Sequence, residues 1–123
     1  EIDKFNILEA TKISMRRAVK RLKLPPTPLI IDGNIDLMIP NYPSESVIKG
    51  DQKSFSIAAA SIIAKVHRDR YMKFLSLKHP NFNWISNVGY GTQKHIKEIY
   101  KNGITSHHRK SFEPIKSLLI HNK

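Results

Sequence analysis

The chain has 123 residues, a length typical of one domain, and 40% of them are hydrophobic, which excludes an intrinsically disordered tail. It contains no cysteine, so disulfide scaffolds, thiolate zinc sites and cysteine nucleophiles are excluded and a reducing cytoplasm is expected. With 21 Lys and Arg against 10 Asp and Glu, the net charge of +11 favours a polyanionic partner such as nucleic acid. An anionic membrane surface, or no specific anion, are the alternatives.

The sequence gives no sign of a membrane partner. Its longest small and apolar stretch, residues 56–64, is far below the roughly 20 residues that span a bilayer. The first residues, Glu1-Ile2-Asp3-Lys4, lack the basic flank and apolar segment of a signal peptide. We therefore expect a cytoplasmic protein.

The first predicted element is a helix that ends at the Pro25-Pro26 pair, because proline cannot continue it. Asn6 is placed to cap this helix, and Glu9 is placed to reach back to it in a capping box. Apolar residues then recur at helical spacing, with basic residues on the other faces.

Two short strands are predicted next. Residues 29–31 form a β-branched run, expected to be buried on both faces, which stops at Asp32-Gly33-Asn34. Residues 47–48 form a second candidate, closed by Lys49-Gly50-Asp51. Two such strands do not make an independently stable sheet. Either further strands escape detection, or part of the sheet is supplied from outside this chain.

The second half of the sequence is predicted to be helical. A long helix over residues 56–78 is followed by a loop, in which Trp84 is expected to pack either in the core or within the loop. Thr92 is placed to cap a short helix that Gly103 terminates, and a last helix is predicted over 111–121. These elements together predict a mixed α/β layer.

Two carboxylates follow the predicted strands, Asp32 after the first and Asp51 after the second. Carboxylates at strand ends in an α/β sheet point into the crevice where ligands bind, and a hard cation would relieve their repulsion. Mg²⁺ and Mn²⁺ prefer such oxygen ligands, and two such ions can flank a phosphoryl displacement. The alternative is ordinary turn and helix-cap chemistry for both residues.

Two further segments are candidates for ligand binding. In Gly89-Tyr90-Gly91-Thr92, the glycines allow close approach and the ring can stack on a base or sugar; the alternative is a packed tyrosine in a loop. The cluster His107-His108-Arg109-Lys110-Ser111 either holds phosphate ahead of a helix or is a solvated run of charge. Adjacent histidines lack the helical spacing of a zinc pair.

These segments, taken together, resemble the C-terminal part of ribonuclease HII, a family that cuts the RNA strand where ribonucleotides lie in duplex DNA. The similar segments occur in the family's order along nearly the whole chain. They are residues 1–11, Ile31-Asp32-Gly33-Asn34, 47–51, 56–66 with Arg68-Asp69, Gly89-Tyr90-Gly91-Thr92 with His95, and His108-Arg109 with Ser111-Phe112 and Pro114.

The sequence also departs from the family pattern. The family opens with an adjacent Asp-Glu pair followed by Gly-Arg-Gly, and this sequence contains neither motif. We therefore expect that about the first third of a typical member is absent, including two of four metal-binding carboxylates, one junction-reading loop and the opening strands. Val88 stands where Lys is common in the family, and His67 where Thr is common.

The resemblance implies a role for each candidate residue. Asp32 and Asp51 would be catalytic, metal-binding carboxylates for Mn²⁺ or Mg²⁺. Tyr90, with Gly89, Gly91 and Arg109, would bind substrate near the ribonucleotide–deoxyribonucleotide junction, where the 2′-OH distinguishes RNA from DNA. Asp69 lies between Arg68 and Arg70, and we interpret it as a member of a structural ion pair rather than a ligand.

The resemblance therefore implies a single α/β domain over residues 1–123 with a ribonuclease H-like mixed sheet and flanking helices, lacking its N-terminal strands. Its activity would be two-metal-ion hydrolysis of RNA in RNA–DNA hybrids or of ribonucleotides embedded in duplex DNA. We expect a monomer that is inactive alone. The missing N-terminal segment, supplied as a separate chain, is a candidate partner. The alternative is a non-catalytic, basic nucleic-acid-binding module.

Overall fold

The computed structural model describes residues 1–23 and 25–121. The chain divides into two compact units, one comprising Glu1–Ile63 and the second beginning at Ala64. The elements of the described residues are α1 (Ile2–Leu22), β1 (Leu29–Asp32), β2 (Ser44–Val47), α2 (Gly50–Lys53), α3 (Phe55–Lys78), a 3₁₀ turn (Pro80–Phe82), α4 (Trp84–Asn87), α5 (Gln93–Asn102) and α6 (Ile115–His121).

Helix α1 is interrupted at the residue predicted to cap it. Asn6 has non-helical angles (φ 71°, ψ 170°), and its Oδ1 accepts hydrogen bonds from the backbone N–H groups of Leu8 and Glu9 at 2.9 and 3.1 Å. The capping role of Asn6 is therefore confirmed, with an additional helical turn before it. The side chain of Glu9 pairs with Lys12 at 3.0 Å.

Strands β1 and β2 pair in parallel, from Leu29 opposite Ser44 to Asp32 opposite Val47. Strand β2 begins three residues before its predicted start. It also ends one residue early, because Ile48 and Lys49 belong to the turn into α2, where Lys49 adopts a left-handed conformation (φ 54°). Among the described residues the sheet consists of these two parallel strands. The mixed α/β class is thus observed.

The prediction that β1 is buried on both faces is wrong. Ile31 is 7% exposed and clusters with Leu37 and Ile39, against which Met15 and Val19 of α1 also pack. Ile30 points to the other face of the sheet and is 45% exposed. One face of the sheet therefore builds the core of the first unit, and on the other face Ile30 is exposed.

The second unit has its own core, which contains Trp84, so of the two expected placements the core is the one observed. Trp84 is 2% exposed and belongs to a cluster of six buried apolar residues: Met72, Leu75, Phe82, Trp84, Ile99 and Ile115. Both predicted ends of α5 are also observed, since Thr92 Oγ1 accepts from the backbone N–H of His95 and the N–H of Gly103 donates to the Ile99 carbonyl.

The last helix, α6, begins at Ile115 rather than at residue 111. Pro114 immediately precedes it, and proline is compatible with the start of a helix but not with its interior. The segment before Pro114 forms turns instead.

Helix α3 exposes several large apolar side chains on one face. Phe55 is 97% exposed, and Ile62, Ile63 and Leu77 are also exposed. Across residues 1–23 and 25–121, no helix combines the length and apolarity that crossing a membrane requires.

Candidate functional site

Asp32 is the last residue of β1, and its side chain is fixed by the chain segment that follows β2. The backbone N–H of Gly50 donates to Asp32 Oδ1 at 2.8 Å. This contact is possible because parallel strands end at the same sheet edge, so the turn after β2 lies beside the end of β1. The Asp32 carboxylate retains solvent exposure.

Asp51 lies in the first turn of α2, directly after Gly50. Gly50 is buried, and a Cβ atom there would stand 2.6 Å from Ile57 Cδ1 and 3.3 Å from Asp32 Oδ1. Only glycine therefore lets this turn approach both the end of β1 and the first residues of α3. Asp32 thus contacts the first residue of α2, and Asp51 is the next residue of that helix.

Asp32 and Asp51 provide oxygen donors, the ligand type that Mg²⁺ and Mn²⁺ prefer. Within the described part of the chain, no group of three or more His, Asp or Glu side chains is placed to hold a metal ion. The carboxylate chemistry of Asp32 and Asp51 therefore fits a hard cation, and a site for such an ion would need ligands beyond these two residues.

The other predicted site residues line one cavity in the second unit, of about 420 Å³. They are Gly89, Tyr90, Gly91 and Arg109. The side chain of Tyr90 is 68% exposed, which contradicts the alternative of a packed tyrosine. Gly89 has a left-handed φ of 81°, and a Cβ atom there would stand 3.2 Å from Met72 Cε. Arg109 lies over the ring of Phe112, 5.1 Å from its centroid.

A cluster of histidines beside this cavity was not predicted. His108 is only 8% exposed, so the alternative of a solvated run is wrong for this residue. Its ring stacks on that of His95, with centroids 5.5 Å apart and planes 9° apart. Burial, and next the neighbouring His95, lower the pKa of His108 to about 4. His79 and His107 contact Trp84 in the same cluster.

The neutral His108 ring has a defined tautomer. Its Nδ1 accepts from the backbone N–H of Thr105 at 3.0 Å, so the ring proton lies on Nε2. Within the described residues, Nε2 is buried without a hydrogen-bond partner. The sequence shows His107 and His108 as neighbours, but it does not reveal that His79 and His95, from two other segments, join them.

A model of the ribonuclease HII family matches residues 1–115 of the chain. The chain belongs to the ribonuclease HII family. The resemblance found in the motifs is thereby confirmed.

Curated ribonuclease HII proteins are similar to this chain over nearly its whole length. It is 54% identical to ribonuclease HII of Staphylococcus saprophyticus over 97% of this chain and 46% of that protein. It is 52% identical to ribonuclease HII of Pelagibacter ubique, over 97% of this chain and 64% of that protein. It is 50% identical to ribonuclease HII of Wolbachia pipientis, over 96% of this chain and 59% of that protein. The chain thus spans about half the length of these relatives.

The ribonuclease HII motif on α3 contains the predicted ion pair. Asp69 Oδ2 lies 3.2 Å from Lys65 Nζ, one helical turn away, so the pair is confirmed with Lys65 rather than a flanking arginine as its partner. Arg68 instead donates from Nη2 to the carbonyl of Val88 at 3.1 Å. Sequence reasoning missed this contact, which joins α3 to the loop that carries Tyr90.

Proposed function

We propose that this chain is the C-terminal portion of a ribonuclease HII endonuclease that hydrolyses RNA in RNA–DNA hybrids and ribonucleotides embedded in duplex DNA. The observation that carries this proposal is the turn that joins Asp32 to Gly50 and Asp51 at the sheet edge. The ribonuclease HII match over residues 1–115 supports it.

Asp32 and Asp51 would hold Mn²⁺ or Mg²⁺ through their carboxylate oxygens. When bound, such ions activate water and stabilise charge on the leaving 3′-oxygen, and the other fragment keeps the 5′-phosphate. The hydrogen bond from Gly50 orients Asp32 Oδ1 before any ligand arrives and leaves Oδ2 for coordination. The chain's own contribution would therefore be the Asp32 carboxylate, oriented at the end of β1, together with Asp51 in the first turn of α2.

Tyr90 would stack against the sugar at the ribonucleotide–deoxyribonucleotide junction. Its exposed ring and the left-handed Gly89 beside it support close approach of a nucleic-acid backbone. Arg109 lines the same cavity and would hold a phosphate, since a guanidinium binds phosphate oxygens well. The excess of Lys and Arg supplies sequence-independent attraction to the duplex.

This chain alone would be inactive, because two carboxylates cannot hold two ions as four can. The remaining ligands would come from a further ribonuclease HII segment, in the same polypeptide or in trans. Three observations support a missing partner: the 97% exposure of Phe55, the open face of β1 at Ile30, and the two-stranded parallel sheet.

A complementation assay tests the proposal. The substrate is a DNA duplex with one ribonucleotide, in Mg²⁺ or Mn²⁺, and the partner is the part of Staphylococcus saprophyticus ribonuclease HII that has no counterpart here. We expect no cleavage by either piece alone and cleavage by the mixture. Asp32→Asn should abolish cleavage by the mixture. The control is Asp36→Asn, which should not abolish it; Asp36 is exposed, and its Oδ1 accepts a hydrogen bond from the backbone N–H of Met38.

The competing function is a non-catalytic, basic nucleic-acid-binding module, favoured by the net charge of +11. It predicts salt-sensitive binding of the duplex with no cleavage in the mixture. Robust turnover by the chain alone that Asp32→Asn abolishes would instead contradict the need for a partner.

A further inference from the structure

We propose that Asn87 and Arg68 are positioning residues that hold the backbone of Tyr90 in the form that discriminates a ribonucleotide. This inference rests on the proposed function, since it concerns how the loop with Tyr90 is presented to the substrate. It assigns roles to two residues outside the motif Gly89-Tyr90-Gly91-Thr92.

Asn87 connects the buried core of the second unit to the loop through three hydrogen bonds. Its side-chain Nδ2 donates to the carbonyl of Phe82 at 2.8 Å, and its Oδ1 accepts from the backbone N–H of Gly89 at 2.8 Å. Its backbone carbonyl accepts from the N–H of Tyr90, also at 2.8 Å. Asn87 is 6% exposed, so water competes little for these bonds.

The loop needs such support because its backbone is strained. Val88 has a φ of 48° and Gly89 a φ of 81°, so two successive residues are left-handed. This conformation is unfavourable for a β-branched residue such as Val88 and persists only where surrounding contacts hold it. Asn87 supplies contacts on both sides of Val88.

Arg68 supplies the remaining contact. Its Nη2 donates to the Val88 carbonyl at 3.1 Å, so α3 fixes the peptide unit between Val88 and Gly89. The side chain of Met72, one helical turn further along α3, lies close to Gly89, and a Cβ atom there would stand 3.2 Å from Met72 Cε. The backbone of this strained turn is therefore held from the core and from α3, while the ring of Tyr90 remains exposed for a ligand.

The alternative role of Asn87 is structural only, as a residue that closes the short helix α4 and stabilises the core. The two roles differ in what a substitution changes. Substitution of a purely structural residue changes only the thermal unfolding midpoint. Substitution of a positioning residue also lowers the preference for a duplex that contains a ribonucleotide, while the affinity for the all-DNA duplex stays the same.

The experiment uses the full 123-residue chain and two duplexes of one sequence, with and without a single ribonucleotide. Fluorescence anisotropy gives the ratio of the two affinities, and NMR gives amide exchange rates at Gly89 and Tyr90. Asn87→Ala should lower the ratio as far as Tyr90→Ala does and accelerate exchange of both amides roughly fivefold or more. Affinity for the all-DNA duplex should stay unchanged. Asn81→Ala, at an exposed asparagine, is the matched control.

Arg68→Lys provides a second variant, which is needed if Asn87→Ala does not fold. It keeps the charge that attracts the duplex but removes the fixed guanidinium geometry. We expect faster exchange at Gly89 and a lower affinity ratio, again with unchanged affinity for all-DNA duplex. Amide exchange rates at Gly89 that are unchanged in both variants would overturn the proposal. If Asn87→Ala does not fold, an unchanged rate in Arg68→Lys alone would overturn it.

Failure of the proposed function gives a different result. If Tyr90→Ala leaves the affinity ratio of the wild-type chain unchanged, this loop does not read the ribonucleotide and that part of the proposed function is contradicted. If Tyr90→Ala lowers the ratio and Asn87→Ala, correctly folded, does not, the substrate role of Tyr90 stands and the positioning role of Asn87 is wrong.

Discussion

The Asp32 carboxylate and the backbone amide of Gly50 are joined by a hydrogen bond of 2.8 Å, although the two residues lie 18 positions apart. The bond ties the end of β1 to the start of α2 and so brings Asp51 to the same turn. It depends on the absence of a side chain at Gly50, because a Cβ atom there would overlap with Ile57 Cδ1 at 2.6 Å and lie 3.3 Å from Asp32 Oδ1.

Gly50→Ala should therefore destabilise the chain. The new methyl group would stand 2.6 Å from Ile57 Cδ1, and such overpacking costs about 1–3 kcal/mol. Urea unfolding measures this loss. Gly91→Ala is the matched control, because a Cβ atom there meets nothing within 4 Å. Equal stability of the two variants would show that Ile57 moves aside without cost and that Gly50 is not required at this turn.

Stability should fall on acidification as His108 becomes protonated. Its pKa in the folded chain is about 4, below the ordinary 6.5, so between these values the unfolded chain binds a proton that the folded chain does not. The stabilisation is complete above pH 6.5 and is lost as the pH falls towards 4. At about 1.4 kcal/mol per pKa unit, the loss is roughly 2–3 kcal/mol.

Unfolding free energies of His108→Phe test this account, because the variant cannot titrate while His95 and His107 remain. Its stability should vary less between pH 6.5 and 4 than that of the wild-type chain. His67→Gln, at an exposed histidine, should keep the wild-type slope. A slope in His108→Phe equal to that of the wild type would assign the pH dependence to other groups.

Duplex binding without divalent ions should depend on salt and not on the two carboxylates. A net charge of +11 implies counterion release, so the affinity should fall linearly with salt concentration on a logarithmic scale. Asp32→Asn and Asp51→Asn should leave this affinity unchanged or raise it, because each removes a negative charge. Weaker binding by either variant in the absence of metal would contradict the assignment of these residues to cation binding.

Phe55→Ser should separate the stability of the chain from its assembly with a partner. The Phe55 side chain is 97% exposed, so its replacement should change the free energy of unfolding by less than about 0.5 kcal/mol. In the complementation assay the same variant should require more of the partner segment for half-maximal cleavage. An unchanged requirement would exclude Phe55 from the surface that the partner covers.

Elements with strong local signals were predictable from the sequence. Asn6 and Thr92 cap helices through short-range hydrogen bonds, and Gly103 ends α5, since capping depends on neighbouring residues alone. The positions of Asp32 at the end of β1 and of Asp51 at the start of α2 were predictable for the same reason, because each follows a recognisable apolar run.

Features that depend on contacts between distant segments were not predictable. The histidine cluster around Trp84 draws on residues from 79 to 108, and the bond from Arg68 to Val88 spans 20 positions. The expected burial of β1 on both faces failed at Ile30, because a local pattern of apolar residues does not reveal whether this chain carries the element that covers them.

Paramagnetic broadening by Mn²⁺ in NMR spectra of the labelled chain tests most directly whether Asp32 and Asp51 share a divalent cation. The account predicts that the amide signals of Asp32, Gly50 and Asp51 broaden first, that Asp32→Asn removes this effect, and that Asp36→Asn does not. Broadening centred elsewhere, or broadening unaffected by Asp32→Asn, would contradict it.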